Sequence, residues 1–142
     1  YDQTASLRED WEGQRIGETT IEISTLDRQI ERLGLPTYCK IDVEGWEREV
    51  LMGLSNPIPI ISFEYHQSDS EIQTARSVLD RITQLGDYYC NIKPSGMHDF
   101  HLKNCIPISQ FTTLFPEGIV PPLTPGYCDI YCTLELSLYR NI

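Results

Sequence analysis

A chain of 142 residues is the size of one globular domain, and 21 acidic against 11 basic side chains give it a net charge of −10. That balance argues against a binder of nucleic-acid backbones or anionic membrane surfaces, which need lysine and arginine to displace counterions. No run approaches the roughly eighteen apolar residues of a membrane span, and Tyr1-Asp2-Gln3-Thr4 has neither the basic start nor the apolar core of a signal peptide, so a soluble protein is expected.

The five cysteines, Cys39, Cys90, Cys105, Cys128 and Cys132, are odd in number, form no CxxC pair and accompany no N-x-S/T sequon. Reduced thiols in a cytoplasm fit that pattern. Cys128 and Cys132 lie four apart in a strand-like run, where they share a face as small buried residues.

Along the chain, the charged opening from Tyr1 to Gly17 reads as loop with a short helix around Leu7 to Trp11. Thr20 to Ser24 alternates and is β-rich, so a strand is expected there. Ser24-Thr25-Leu26-Asp27 supplies a capping hydroxyl and an acid three residues on, and Leu26, Ile30 and Leu33 then form one helical face that stops at Gly34 and Pro36. Tyr38 to Val43 is a short strand. Glu44-Gly45 turns into a helix with Trp46, Val50, Leu51 and Leu54 as its apolar stripe, ended by Asn56-Pro57. Ile58 to His66 is the most strand-like run, with its proline near the start where a missing N–H is tolerated. A long helix follows, with Ile72, Ala75, Leu79, Ile82 and Leu85 at three-and-four spacing, Ser68 or Ser70 as cap, and Gly86 as stop. Tyr88 to Lys93 reads as a strand and Pro94 to Pro125 as a long proline-dotted connection. Tyr127 to Tyr139 alternates strictly, with Cys128, Ile130, Cys132, Leu134, Leu136 and Leu138 facing one way.

Strands alternating with helices through short loops predict an α/β domain with parallel strands and right-handed crossovers. Strict alternation in the last run suits a half-covered antiparallel strand.

In open α/β sheets, ligands bind beyond the carboxyl ends of the strands, and two runs are unusually polar there. Lys40, Asp42 and Glu44 alternate on the first, and Ser62, Glu64 and His66 on the second. The bland reading makes Glu44 and Glu47 first-turn carboxylates favoured by a helix dipole, with Gly45 giving a tight turn. Glu64 resists it, because an acid among Ile60, Ile61, Phe63 and Tyr65 must be paired or solvated.

Ser24-Thr25-Leu26-Asp27, Lys40-Ile41-Asp42-Val43-Glu44-Gly45-Trp46-Glu47 and Val50-Leu51-Met52-Gly53 together resemble, in order and spacing, the signature of the FkbM-type S-adenosylmethionine-dependent methyltransferases. In that family a T-L-D segment opens a helix, a K-x-D-x-E-G-x-E segment ends the fourth strand of a Rossmann-like sheet, and V-L-x-G continues into the next helix. Ile60 to Glu64 resembles the family's next strand, Leu85-Gly86-Asp87-Tyr88 the approach to its sixth, and Asp129-Ile130-Tyr131 its last. The likeness is close from Ser24 to His66 and looser elsewhere. It implies the C-terminal portion of a Rossmann-like class I methyltransferase sheet, mostly parallel strands closed by an antiparallel last strand.

One family feature is missing from the sequence. The nine glycines form no G-x-G cluster between a strand and a helix, where relatives hold the cofactor. Residues 1–142 are therefore expected to form a single α/β domain, the C-terminal part of a methyltransferase domain without its cofactor-binding half.

The resemblance implies an O-methyltransferase with S-adenosyl-L-methionine as cofactor and a hydroxyl of a sugar, polyketide or other small metabolite as acceptor. Asp42, Glu44 and Glu64 are the candidate catalytic carboxylates, Lys40 and His66 the candidate substrate-binding residues, and no metal is assigned. Two rivals stand beside this reading. Asp42, Glu44, Glu64 and His66 could instead hold Mg²⁺ or Mn²⁺, or the chain could be a non-catalytic half-Rossmann domain that binds a partner. Acceptor selectivity is expected in the connection from Pro94 to Pro125, with Met97, His98, Phe100, His101, Phe111 and Phe115. S-Adenosylmethionine titrated calorimetrically into the 142-residue chain is expected to give weak or no binding. Micromolar affinity would place the cofactor site within these residues.

Overall fold

The computed structural model describes residues 20, 22–66, 68–120 and 126–139. The helix expected around Leu7 to Trp11 lies outside them. Among the described residues, Thr20 and residues 22–25 form no strand and are exposed, in place of the strand expected there. The first helix, α1 (Leu26–Leu33), is capped by Thr25 rather than Ser24, the Thr25 hydroxyl accepting from Arg28 N at 3.2 Å. It ends at Gly34, whose φ of 90° belongs to the left-handed region.

Strand β1 (Tyr38–Ile41) leads into α2 (Glu47–Met52). Trp46 is the N-cap of α2 and stays partly exposed, whereas Leu51 and Leu54 carry the burial expected of the stripe. The two outer signature segments meet here. Asp27 N donates to Gly53 O at 2.9 Å and Ser55 N donates to Asp27 Oδ1 at 2.8 Å. A Cβ on Gly53 would come within 3.0 Å of Thr25 Cβ, so glycine permits the approach.

Strand β2 (Ile60–His66) is followed by α3 (Asp69–Leu85) with Ser68 as its N-cap, and then by β3 (Tyr89–Pro94). Arg81 of α3 donates to Leu51 O at 3.2 Å and Leu54 O at 2.6 Å, satisfying carbonyls at the end of α2. The long connection contains a short strand, β4 (Ile106–Pro107), and a helix, α4 (Ile108–Leu114), neither of which was expected. Strand β5 (Tyr127–Thr133) is shorter than the alternating run. The Thr133 hydroxyl bonds both Glu135 N and Glu135 O, and the chain turns into α5 (Leu136–Tyr139), which leaves Leu136 exposed.

The five strands form one mixed sheet in the order β1-β2-β5-β3-β4. Only β1 and β2 pair in parallel, and the other three pairings are antiparallel. The last long strand is antiparallel to both of its neighbours, as expected, and the rest of the sheet expectation is corrected. The pairing is mostly antiparallel, and the last long strand lies between β2 and β3 instead of closing an edge. The crossover through α3 does bring β3 back in the direction of β2, as βαβ reasoning requires, but it leaves a one-strand gap that β5 fills in reverse.

The sheet separates an apolar from a polar face. Ile41, Phe63, Ile130 and Ile92 align in one register row, flanked by Ile61, Tyr65, Cys128, Cys132 and Cys90 on the same side. Ala75, Val78, Leu79 and Ile82 of α3, Leu51 of α2, and Ile108, Phe111 and Phe115 share the core with them. Phe111 and Phe115 are thus core residues rather than selectivity residues. No disulfide joins the five cysteines, and Cys90 Sγ and Cys132 Sγ are in contact at 3.3 Å across β3 and β5. No helix among the described residues is long and apolar enough to cross a membrane. The opposite face carries Tyr38, Lys40, Ser62, Glu64, His66, Asp129, Tyr131, Asn91 and Lys93.

Candidate active site

At the exit of β1 the chain passes Asp42 and Val43 and then takes two consecutive positive φ values, 53° at Glu44 and 96° at Gly45. Glycine adopts this region freely, but a glutamate rarely does, and such residues persist only where their surroundings hold them. The holding group is Glu47. Its buried carboxylate accepts from Val43 N at 3.2 Å and from Gly45 N at 3.1 Å, so the first residue of α2 braces the turn before it. Glu47 does sit in the first turn of α2, as the bland reading requires, whereas Glu44 lies before the helix and is presented by the turn.

The turn brings Asp42 and Glu44 toward Glu64 of β2, and one carboxylate oxygen from each of the three lies within 4.8 Å of the other two. That spacing suits a cation. Two side chains that pair with carboxylates already belong to the group. Lys40 Nζ lies 3.4 Å from Asp42 Oδ2 and 3.5 Å from Asp129 Oδ1, and His66 Nε2 lies 2.8 Å from Glu64 Oε2. All five residues singled out from the sequence therefore converge.

Asp129 of β5 was missed. It stands directly opposite Glu64 in the β2–β5 register, on the same face, with Lys93 of β3 opposite it on the other side. Its Oδ1 is buried and makes no hydrogen bond, and at 3.5 Å the Lys40 contact is an ion pair longer than a formed N–H···O bond. Alternation with Cys128 and Ile130 puts Asp129 on the polar face, but nothing in the sequence says that β5 lies beside β2.

Burial alone would lower the Lys40 pKa, but Asp129 and Asp42 outweigh it and the ammonium ends above its ordinary value. Glu64 is raised from its ordinary 4.5, first by burial and then by Asp42 and Asp129, with His66 opposing. Tyr131 is raised as well, by burial and by Tyr38.

An aromatic wall borders the cluster. Phe100 meets Tyr131 edge-on at 5.0 Å, and the Tyr131 ring stacks parallel to Tyr38 at 6.4 Å. Phe100 is held over the sheet because Asn91 exchanges hydrogen bonds with the Leu102 backbone at 2.8 and 3.0 Å. Of the phenylalanines expected to read the acceptor, Phe100 reaches this face, whereas Phe111 and Phe115 lie in the core. A cavity of about 430 Å³ lined by Glu22, Ser24, Arg28, Gln29, Glu31 and Arg32 shares no residue with the cluster.

A family model described as the methyltransferase FkbM domain matches residues 1–91. The chain belongs to the FkbM methyltransferase family. No curated protein and no solved structure matches it significantly. The FkbM match includes Lys40, Asp42, Glu44, Glu64 and His66, while Phe100, Asp129 and Tyr131 lie beyond its end.

Two expected outcomes follow from this geometry. Glu47→Ala removes both bonds to the exit turn and should destabilise the fold by about 2–3 kcal/mol in urea titration, whereas Glu49→Ala, on the exposed side of α2, should stay within about 0.5 kcal/mol. Equal effects would show that Glu47 does not brace the turn. The second concerns pH. Because the folded state raises the Glu64 pKa, the stability linked to its proton is fully present below 4.5 and is lost as pH rises through the higher folded value. Glu64→Gln cannot ionise, so its thermal midpoint should match the wild type at about pH 4 and exceed it at about pH 7. A lower midpoint at about pH 7 would show that pairing with His66 outweighs burial and repulsion.

Proposed function

We propose that this FkbM-family chain carries the acceptor-side chemistry of an S-adenosylmethionine-dependent O-methyltransferase acting on a hydroxyl of a small metabolite, sugar or polyketide. The observation that carries the reading is the convergence of Asp42, Glu44 and Glu64, with oxygens within 4.8 Å of one another, at the exits of two neighbouring strands. Strand exits are where α/β sheets take their ligands. The family's methyl donor is a sulfonium cation, and an acidic donor set suits it. Asp42 and Glu44 are the groups that would face its positive charge, and when bound it supplies an electrophilic methyl group.

Methyl transfer to oxygen also needs the acceptor held in line and a group to take its proton. Lys40, fixed between Asp42 and Asp129, offers an ammonium donor to an acceptor oxygen. Glu64 lies in the next row on this face, opposite Asp129, and His66 in the row after it, opposite Tyr127. Phe100 and Tyr131 form an apolar wall for the rest of the acceptor. Lys40 supplies counter-charge to Asp42 and Asp129 from within the chain, which favours a reaction without a divalent cation. A small-molecule partner, a cofactor loop outside these residues and a reducing, cytoplasmic compartment for the five unbridged cysteines complete the reading.

The test uses the full-length protein with methyl-labelled S-adenosylmethionine and a panel of hexoses, polyols and macrolide alcohols. Label is expected on an acceptor oxygen, with no change on adding EDTA. Asp42→Asn should reduce turnover by about 10²-fold or more and leave the thermal midpoint close to that of the wild type, since the Asp42 side chain is well exposed. Transfer insensitive to Asp42→Asn would remove the cluster from the chemistry, and loss of transfer in EDTA would favour the divalent-metal reading.

A further inference from the structure

The methyl-transfer reading leaves open which group takes the acceptor's proton, and the geometry of the polar face separates the candidates. Asp42 faces the Lys40 ammonium at 3.4 Å, and Asp129 faces the same ammonium from the other side at 3.5 Å, so these two carboxylates form a clamp on one cation. Glu64 is oriented differently. Its Oε2 lies 2.8 Å from His66 Nε2, two residues further along the same strand and on the same face. We propose that His66 is the base of the transfer and that Glu64 is its positioning residue, an assignment that rests on the methyl-transfer reading.

An ionised carboxylate can only accept, so pairing with Glu64 places the imidazole proton on Nε2 and leaves the Nδ1 lone pair as the proton acceptor. The side-chain exposures agree with this division. Glu64 is 15% exposed and His66 is 52% exposed, so the carboxylate sits inside the sheet and the imidazole at its open end. Tyr127 of β5 stands opposite His66 in the register, with ring centroids 5.8 Å apart, and steadies the ring from the side.

The charged and titratable groups around the pair come from every neighbouring element. Asp129 and Tyr127 lie across on β5, Asp42 and Glu44 on the exit turn of β1, Lys40 on β1, and Lys93 on β3 beyond Asp129. Burial and the neighbouring carboxylates make Glu64 more basic than an ordinary glutamate, which strengthens its hold on the Nε2 proton. In the transfer, the acceptor oxygen forms its bond to the methyl carbon as its O–H proton passes to His66 Nδ1. The electron pair of the breaking carbon–sulfur bond stays on sulfur, so a sulfonium cation becomes a neutral thioether and the positive charge ends on an imidazolium facing Glu64. The proton then leaves to water.

The deciding experiment measures label transfer across pH for the full-length wild type, His66→Gln, Glu64→Gln and Glu64→Asp, with S-adenosylmethionine affinity read by calorimetry on each and the hexose, polyol and macrolide-alcohol panel as acceptors. His66→Gln is expected to slow transfer by about 10²-fold or more while cofactor affinity stays within about twofold. Glu64→Gln should slow it less, because an amide neither fixes the proton on Nε2 as firmly nor stabilises the imidazolium formed in the transfer. Glu64→Asp, which keeps the charge, should recover most of the wild-type rate, a rescue that a merely structural role for Glu64 does not give. Transfer by His66→Gln within about threefold of the wild type overturns the assignment, and if Glu64→Gln is then inactive, Glu64 itself is the base. A wild type that transfers no label to any acceptor overturns the methyl-transfer reading itself, whereas a transferring wild type with a silent His66 overturns only this proposal.

Discussion

Glu64 and Asp129 face each other across an antiparallel pair of strands on the same side of the sheet, and the rest of the polar face answers to that repulsion. Directly opposed residues lie about 4.5–5.5 Å apart at Cβ. Two like charges at about 5 Å repel by about 3 kcal/mol at an effective dielectric near 20, more than an exposed salt bridge returns. The sheet separates the two carboxylates by giving each its own partner. Asp129 receives Lys40 from two strands away and Glu64 receives His66 from its own strand.

That arrangement exists only because β5 lies between β2 and β3. With β2 and β3 adjacent, Glu64 would face the side chains of β3 and Asp129 would stand elsewhere. The helix α3 sets the direction of β3, but the reversed strand supplies both the second carboxylate and Tyr131. The core face reflects the same insertion. Cys128, Ile130 and Cys132 fill the space between Ile61, Phe63 and Tyr65 on one side and Cys90 and Ile92 on the other, and all three are fully buried.

Local features of the sequence were legible where a short-range physical signal was strong. Gly34, Gly86 and the spacing of Ala75, Leu79 and Ile82 place the helix ends and the buried stripe of α3 close to where they fall. The convergence of Lys40, Asp42, Glu44, Glu64 and His66 was legible because strand exits and alternating polarity are both written in the chain. Strand order was not. Alternation in Tyr127 to Thr133 fixes which side of the strand is apolar, yet it is silent about neighbours, so Asp129 could not be assigned to the site. Ile108, Phe111 and Phe115 were read as loop because prolines at 107 and 116 interrupt the run. The helix between them, α4, is only seven residues long and is stabilised by burial of Ile108 and Phe111 rather than by its own pattern.

A polar group inside a sheet is tolerated when a partner satisfies it, and the polar face can be followed row by row on that basis. In the first row Thr133 is satisfied by the Glu135 backbone. In the next, Ser62 meets the Tyr38 hydroxyl at 2.8 Å and Asn91 is satisfied by the backbone of Ile92 and Leu102. Local contacts are enough in both. The third row, Glu64 and Asp129, is different, because Asp129 Oδ1 is buried without a hydrogen bond and Glu64 depends on a histidine that is half in solvent. If stability alone shaped this face, an apolar pair or a serine like that in the row before would serve better than two acids. The cost falls on a row close to the exits of β1 and β2, where an acceptor and a cation can reach it. The packing rows behind it remain satisfied, so the rigid part of the sheet holds these charges in place instead of relaxing to disperse them.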